Sequence, residues 1–208
     1  MRLASRVLAG LAVAAFCAAP AVAQMEGGMA GSSGGMAIGV SAGYVSAGGD
    51  LSDPFPNGYG MEAGIGGAAN FRYGVARNIW VTGGFGYSSH GIKNTSDNVT
   101  LLSFVIEPRY TFALSSGKIT PFVGGRLQYT RGSASVTGTG DVKASGLGFG
   151  ALGGAMYSLS PTLSLEGALS FVSQSFGDAE VAGQTQAGSD QSGTLIGLNF
   201  GVVFKLGR

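Results

Sequence analysis

Apolar residues recur at every second position over most of the chain. Every second residue from Leu102 to Phe112 is apolar or proline, and the positions between them include Glu107 and Arg109. A period of two is typical of β-strands, because successive side chains point to opposite faces of a sheet. The pattern begins at Met36 and recurs in eight segments, so we expect an all-β chain of eight strands.

The segments that connect the predicted strands alternate between short and long. The predicted short connections are 74–78, 113–118 and 158–162, and the predicted long ones are 47–59, 89–98, 131–144 and 173–193. Outer-membrane barrels have an even number of antiparallel strands, with short turns at one end and longer loops at the other. The alternation therefore favours such a barrel.

The charged residues of the predicted strands share one face, opposite the aliphatic and aromatic face. A charge on the lipid side of a membrane barrel costs about 2–4 kcal/mol near the midplane, so this sorting favours apolar residues outward and charges inward. Eight strands leave an interior that side chains fill, and we expect the inward charges to pair across it in a structural network. The predicted lumen network is Glu62, Arg72, Glu107, Arg109, Arg126, Glu166 and Lys205.

Glycine is abundant, with 39 residues among 208, while only 11% of the residues are charged and 45% are hydrophobic. Disordered chains have low hydrophobicity and high charge, so the glycines belong to ordered structure. We expect glycine and serine on the inner face to make room for larger side chains such as Trp80. A formal net charge of +1 gives no reason to expect nucleic acid as a partner.

The first residues resemble a secretory signal. Arg2 and Arg6 precede an apolar stretch, and 21–23 reads Ala-Val-Ala, a small-residue cleavage site. We predict a signal peptide over 1–23, a flexible lead-in over 24–35 and a barrel domain over 36–208. The single cysteine, Cys17, lies in the signal, so a disulfide framework is not expected.

Three segments resemble the small outer-membrane barrels of the OmpA, OmpX and opacity-protein type. They are 107–112 (EPRYTF), 120–125 (TPFVGG) and 159–165 (LSPTLSL), and the last is similar to that group's periplasmic turn between strands six and seven. The resemblance implies an eight-stranded antiparallel up-and-down transmembrane β-barrel in the cell outer membrane. It implies outer-membrane lipid and lipopolysaccharide as surroundings, and a monomer.

The C-terminal strand resembles the signal by which the barrel-assembly machinery recognises its substrates. That pattern is polar-x-Gly-x-x-apolar-x-apolar, and Asn199, Gly201, Phe204 and Leu206 match it. The resemblance implies the assembly machinery as a partner. Gly207 and Arg208 depart from the pattern, since the group usually ends on an aromatic residue.

The sequence favours no catalytic residues, no cofactor and no metal. His90 is the only histidine, and we interpret it as a surface residue of a polar loop, although Ser88 and Ser89 beside it leave a serine hydrolase open. The segment 148–153 matches G-x-G-x-x-G, but it lies inside a predicted strand rather than between a strand and a helix.

Three functions remain open at this point. The leading hypothesis is a non-enzymatic outer-membrane protein that stabilises the envelope or mediates surface contact through its loops. The loops are rich in acids, which we interpret as solvating groups, with weak cation binding or surface recognition as the alternative. A narrow porin for small solutes and a lipid A-modifying enzyme are the other two hypotheses.

Overall fold

The computed structural model describes residues 34–54, 59–114, 117–136, 140–181, 183–186 and 190–206. The predicted signal peptide, the lead-in up to residue 33, Gly207 and Arg208 lie outside these residues. None of the described residues forms a helix long and apolar enough to cross a membrane.

Eight long antiparallel strands close into a barrel, as the alternating pattern predicts. Consecutive strands pair from β1 to β7, β10 pairs with both β7 and β1, and this ring has no free edge. A small hairpin of β8 and β9 extends the sheet, because β8 pairs with the first residues of β6. The strands are β1 (Met36–Gly49), β2 (Met61–Ala76), β3 (Ile79–Ile92), β4 (Asn98–Thr111), β5 (Ile119–Val136), β6 (Gly140–Ser158), β7 (Leu163–Phe176), β8 (Ala179–Val181), β9 (Gln184–Gln186) and β10 (Gln191–Lys205).

The outer surface of the barrel is a continuous apolar band. Ile65 is 73% exposed, Phe200 63% and Phe104 53%, and all three belong to the predicted apolar face. Large apolar groups on every strand of a soluble barrel would contact water, whereas here they match a hydrocarbon environment. The buried charged side chains Arg72, Glu107 and Arg109 lie on the opposite, inner face.

The two ends of the barrel differ. The turn end carries the short connections 77–78, 112–118 and 159–162, and the loop end is the opposite one. Exposed tyrosines lie toward both ends, as in the interfacial girdles of membrane barrels: Tyr44, Tyr87 and Tyr129 toward the loop end, and Tyr73 and Tyr157 toward the turn end. Tyr59 is not part of a girdle, because its ring packs inward against Phe176 at 6.0 Å.

The inner face of β6 is lined by glycine because β7 lies very close to it. A Cβ on Gly150 would lie 1.9 Å from the carbonyl oxygen of Phe171, and one on Gly154 would lie 2.1 Å from that of Gly167. Both contacts are with backbone, which cannot move aside without breaking the ladder. Glycine therefore permits the narrow barrel at these positions.

Two of the predicted long loops consist largely of strand. β5 continues to Val136 and β6 begins at Gly140, so most of the predicted loop 131–144 is a paired ribbon. The predicted loop 173–193 contains the end of β7, the β8–β9 hairpin and the start of β10. These segments are mostly polar, so the hydrophobic period by which a strand is recognised is weak in them, while backbone pairing still forms.

We expect Phe104→Arg to prevent refolding into lipid vesicles, because a charge on the lipid face near the midplane costs about 2–4 kcal/mol. Ser96→Arg, in an exposed loop-end position, is the control and should refold normally. The folded fraction after dilution from urea into vesicles measures both. Equal yields for the two variants would contradict the outward placement of Phe104.

Candidate functional site in the barrel lumen

The lumen contains a chain of alternating bases and acids. The two guanidinium nitrogens Nη1 and Nη2 of Arg72 donate to Glu166 at 2.5 and 3.0 Å. Glu166 also accepts from Nη1 of Arg109, at 3.1 and 3.2 Å. Each Arg–carboxylate contact is charge-assisted, which makes it stronger than a neutral hydrogen bond.

Glu107 continues the chain beyond Arg109. Nε and Nη2 of Arg109 donate to Oε2 of Glu107 at 2.9 and 2.5 Å. On the other side of the same carboxylate, Arg126 donates to Oε1 through Nε at 2.7 Å, and its Nη2 forms an ion pair with the same oxygen at 2.5 Å. The order is therefore Arg72, Glu166, Arg109, Glu107, Arg126, and we call these five residues the ion-pair chain.

Glu62 and Lys205, the other members of the predicted lumen network, lie apart from the ion-pair chain. The β2–β3 register shifts between Met61 and Gly64, and this irregularity leaves Glu62 exposed, contrary to the inward placement predicted for it. Lys205 is half-buried at the turn end, where β10 finishes. Among the described residues, neither forms an ion pair.

Below the ion-pair chain, an apolar cluster closes the turn end of the lumen. Phe122 lies under the guanidinium of Arg109, with 4.8 Å between Cζ and the ring centroid, and Nη1 of Arg72 contacts the sulfur of Met156 at 3.7 Å. The turn-end cluster consists of Ala37, Trp80, Phe122, Leu152, Met156, Ala168 and Val203. Trp80 was expected on the inner face of the barrel, as observed, but the sequence did not indicate the cluster that it joins.

Above the ion-pair chain lies a layer of neutral polar groups. The side-chain amide of Gln128 donates to Gln174 at 2.9 Å and to Thr130 at 3.2 Å, and Thr130 contacts Ser103 at 3.1 Å. Gln174 fell in a predicted loop, so the sequence argument missed it. The available signal was that Val172 and Phe176, two residues before and after it, are apolar and fall on the same face of the strand.

A second apolar cluster closes the loop end. Leu51, from the connection between β1 and β2, is completely buried there, although its segment was predicted to be a loop. The connection is held by Nζ of Lys93, which donates to the Ser52 carbonyl at 2.6 Å. The loop-end cluster is Leu51, Met61, Leu101, Val172, Phe176 and Leu195, with Val45, Ala47, Tyr59, Val99 and Ala144 against it.

Tyr59, in the connection between β1 and β2, packs against the loop-end cluster. Its hydroxyl is buried and has no hydrogen-bond partner among the described residues. Burial, together with the carboxylates of Asp190 and Asp178, raises the pKa of this hydroxyl above its usual value. The described part of this connection, residues 50–54 and 59–60, therefore packs onto the barrel.

Between the ion-pair chain and the loop-end cluster lies a cavity of about 120 Å³. Its lining includes charged groups of the ion-pair chain and neutral polar groups from the surrounding strands. The polar and charged residues that line it are Ser41, Asn70, Thr82, Ser88, Ser103, Glu107, Arg109, Arg126, Gln128, Glu166, Ser170 and Asn199.

His90 is buried inside the barrel, so its interpretation as a surface residue of a polar loop is wrong. Its Nδ1 lies 3.0 Å from the Glu62 carbonyl oxygen and its Nε2 lies 2.9 Å from the Ser88 hydroxyl. The prediction failed because β3 continues to Ile92, so that His90 falls at an inward position of a strand. No carboxylate of the described residues contacts the ring.

The residues of the predicted assembly signal take two orientations at the end of β10. Phe204 and Leu206 are exposed on the outer surface, whereas Asn199 and Gly201 are half-buried on the inner side. A Cβ on Gly201 would lie 2.4 Å from the carbonyl oxygen of Val40.

In the part of the chain that the structure describes, no three metal-ligating side chains gather into a cluster.

The sequence profile of the family described as "Outer membrane protein beta-barrel domain" matches residues 9–204. No curated protein matches the chain significantly. Neisserial surface protein A is similar in structure, with a TM-score of 0.64, 19% identity and coverage of 82% of this chain and 97% of that chain. Ail, the attachment invasion locus protein of Yersinia pestis, has a TM-score of 0.53, 12% identity and coverage of 84% and 100%. Identities this low show a shared fold and not a shared activity.

We expect Glu166→Gln to destabilise the barrel far more than Arg126→Gln. The first change leaves three guanidinium groups with one carboxylate, and removing one member of a buried pair costs about 3–5 kcal/mol. The second leaves two of each, with Glu107 still held by Arg109. Urea unfolding in vesicles, followed by the fluorescence of Trp80, the only tryptophan, measures both. Glu62→Gln, an exposed site, is the control; a larger loss for Arg126→Gln than for Glu166→Gln would refute this account of the chain.

Proposed function

Because the chain belongs to the outer membrane protein beta-barrel family, we propose that it is a non-enzymatic integral protein of the cell outer membrane with a structural, envelope-stabilising or surface-contact role. It would be exported with a cleaved signal peptide and work as a monomer. Lipopolysaccharide and outer-membrane lipid would surround its apolar band.

The closure of the lumen at both ends is the observation that carries this proposal. The turn-end cluster, the ion-pair chain, the layer of neutral polar groups around Gln128 and Gln174, and the loop-end cluster follow one another along the barrel axis. A continuous water path would have to pass through both apolar clusters. The barrel is thus better suited to be a rigid scaffold than a conduit.

A contact function would lie at the loop end. The β5–β6 ribbon and the β8–β9 hairpin form a paired sheet beyond the barrel wall, and among the strands that the structure describes β9 pairs with β8 alone. Acidic residues outnumber basic ones here, with Asp50, Asp53, Glu62, Asp97, Asp141, Asp178, Glu180 and Asp190 against Lys93, Arg131 and Lys143. This excess favours a positively charged partner surface.

A narrow porin for small solutes is the second candidate, and the polar cavity favours it. If the connection that carries Leu51 moved away, the cavity would open to the outside. The turn-end cluster would still have to open for a solute to pass.

A lipid A-modifying enzyme is the third candidate, based on the contact between Ser88 and His90. Ser88 lines the cavity inside the barrel, whereas the acyl chains of a lipid lie against the outer surface. The location of the pair therefore argues against a lipid substrate.

We expect the refolded wild-type protein to give no steady ion current in planar bilayers, because both ends of the lumen are closed by apolar side chains. A general porin reconstituted in the same way is the positive control. Steady currents whose ion selectivity changes in Arg126→Gln would overturn the scaffold proposal and favour the porin.

For the barrel-assembly machinery as a partner, we expect Phe204→Ser with Leu206→Ser to lower the amount of assembled protein in the outer membrane while leaving export intact. The two side chains would carry the apolar part of the recognition signal. Phe112→Ser with Leu114→Ser removes two equally exposed apolar groups at the same end and is the control. Equal assembly of the two double variants, judged by heat-modifiable mobility in membrane fractions, would exclude a recognition role for Phe204 and Leu206.

A further inference from the structure

The ion-pair chain does not balance its own charge. It contains the guanidinium groups of Arg72, Arg109 and Arg126 and the carboxylates of Glu107 and Glu166. Arginine remains protonated at every relevant pH, so one positive charge is left over. A charge in a protein interior needs a partner or a strongly polar environment.

The excess charge lies at the cavity, on Arg126. The side chain of Arg126 is 20% exposed, whereas the other four members of the chain are exposed by 10% or less. Both Nε and Nη2 of Arg126 contact one oxygen of Glu107, but within the described residues Nη1 has only a 3.3 Å contact with the hydroxyl of Ser170. The cavity is therefore the side on which Arg126 has donor capacity to spare.

A hydroxyl donor without a partner lines the same cavity. The hydroxyl of Thr82 is buried and forms no hydrogen bond with any described residue. The strand register places Thr82 between Arg72 on β2 and Glu107 on β4, at the level of the ion-pair chain. Buried polar groups are nearly always satisfied, so this hydroxyl indicates an occupant of the cavity. Asn199 adds a further amide donor to the lining.

We propose that the lumen cavity is a binding site for a small inorganic anion of the halide class. Arg126 supplies the positive charge and Thr82 donates a hydrogen bond. A volume of about 120 Å³ accommodates a halide ion together with water. Because apolar clusters lie at both ends of the lumen, the anion is bound and is not conducted. Water alone would satisfy the hydroxyl of Thr82 but would leave the charge uncompensated.

The test compares protein refolded in sodium bromide with protein refolded in sodium gluconate at equal ionic strength, gluconate being a much larger anion. We expect a higher urea midpoint in bromide, rising with the logarithm of the bromide concentration, as ligand linkage requires. Crystals grown in bromide should show an anomalous peak in the cavity beside Arg126 and Thr82.

Two variants isolate the site. Arg126→Gln makes the ion-pair chain neutral and should abolish the difference between the two salts. Thr82→Val removes the unpaired hydroxyl, so it should leave the midpoint in gluconate unchanged or higher while reducing the gain in bromide. Thr111→Val is the matched control, since its buried hydroxyl donates to the Asn78 carbonyl away from the cavity. It should lower both midpoints equally.

Equal wild-type midpoints in the two salts, or a bromide gain that survives in Arg126→Gln, would overturn the proposal. So would crystals that contain only water in the cavity at high bromide concentration. If Arg126→Gln fails to refold, Thr82→Val decides: an undiminished bromide gain in that variant refutes the site.

Discussion

Backbone hydrogen bonding in a hydrocarbon environment governs this structure. An unpaired N–H or C=O group in a lipid layer costs several kcal/mol, so each membrane-spanning strand needs a neighbour on both sides. The pairing of β1 with β10 from Ala37–Lys205 to Gly49–Gly193 supplies the last neighbour and removes the free edge. The other features of the barrel follow from this closure, because a ring of eight strands sets both the area of the lipid face and the size of the lumen.

The narrow lumen determines which side chains the inner face carries. Where β6 and β7 approach each other, the backbone leaves no room for a Cβ, and Gly150 and Gly154 occupy those positions. Elsewhere the lumen admits long polar side chains, and their charged ends meet near the axis. Arg109 contacts both Glu107 and Glu166 while lying over the ring of Phe122. The ion-pair chain thereby connects strands that do not neighbour one another in the sheet.

The layers along the barrel axis make the barrel rigid, whereas the loop end, where structure extends beyond the wall, offers a surface for contact. The apolar clusters exclude water from both ends of the lumen, and the polar layers between them are held by hydrogen bonds. Variable contact surfaces are usually presented by loops on a rigid support. The β8–β9 hairpin and the long β5–β6 ribbon provide such a surface here.

The alternation of apolar and polar residues along the chain was enough to predict the two-residue period of the strands, the face that points to lipid and the closure of the barrel. A side chain such as Phe104 and its neighbours two residues away can satisfy only one environment, and charges such as Glu107 and Arg109 can satisfy only the other, so the pattern is readable without coordinates. Tertiary structure decided what depends on the neighbouring strand. A shift in the β2–β3 register leaves Glu62 exposed, and the continuation of β3 to Ile92 buries His90. Leu51 joins the loop-end cluster from a connection that has no hydrophobic period. Which base pairs with which acid was likewise settled by distances across the lumen, because partners such as Arg72 and Glu166 lie 94 residues apart in the chain and no local pattern relates them.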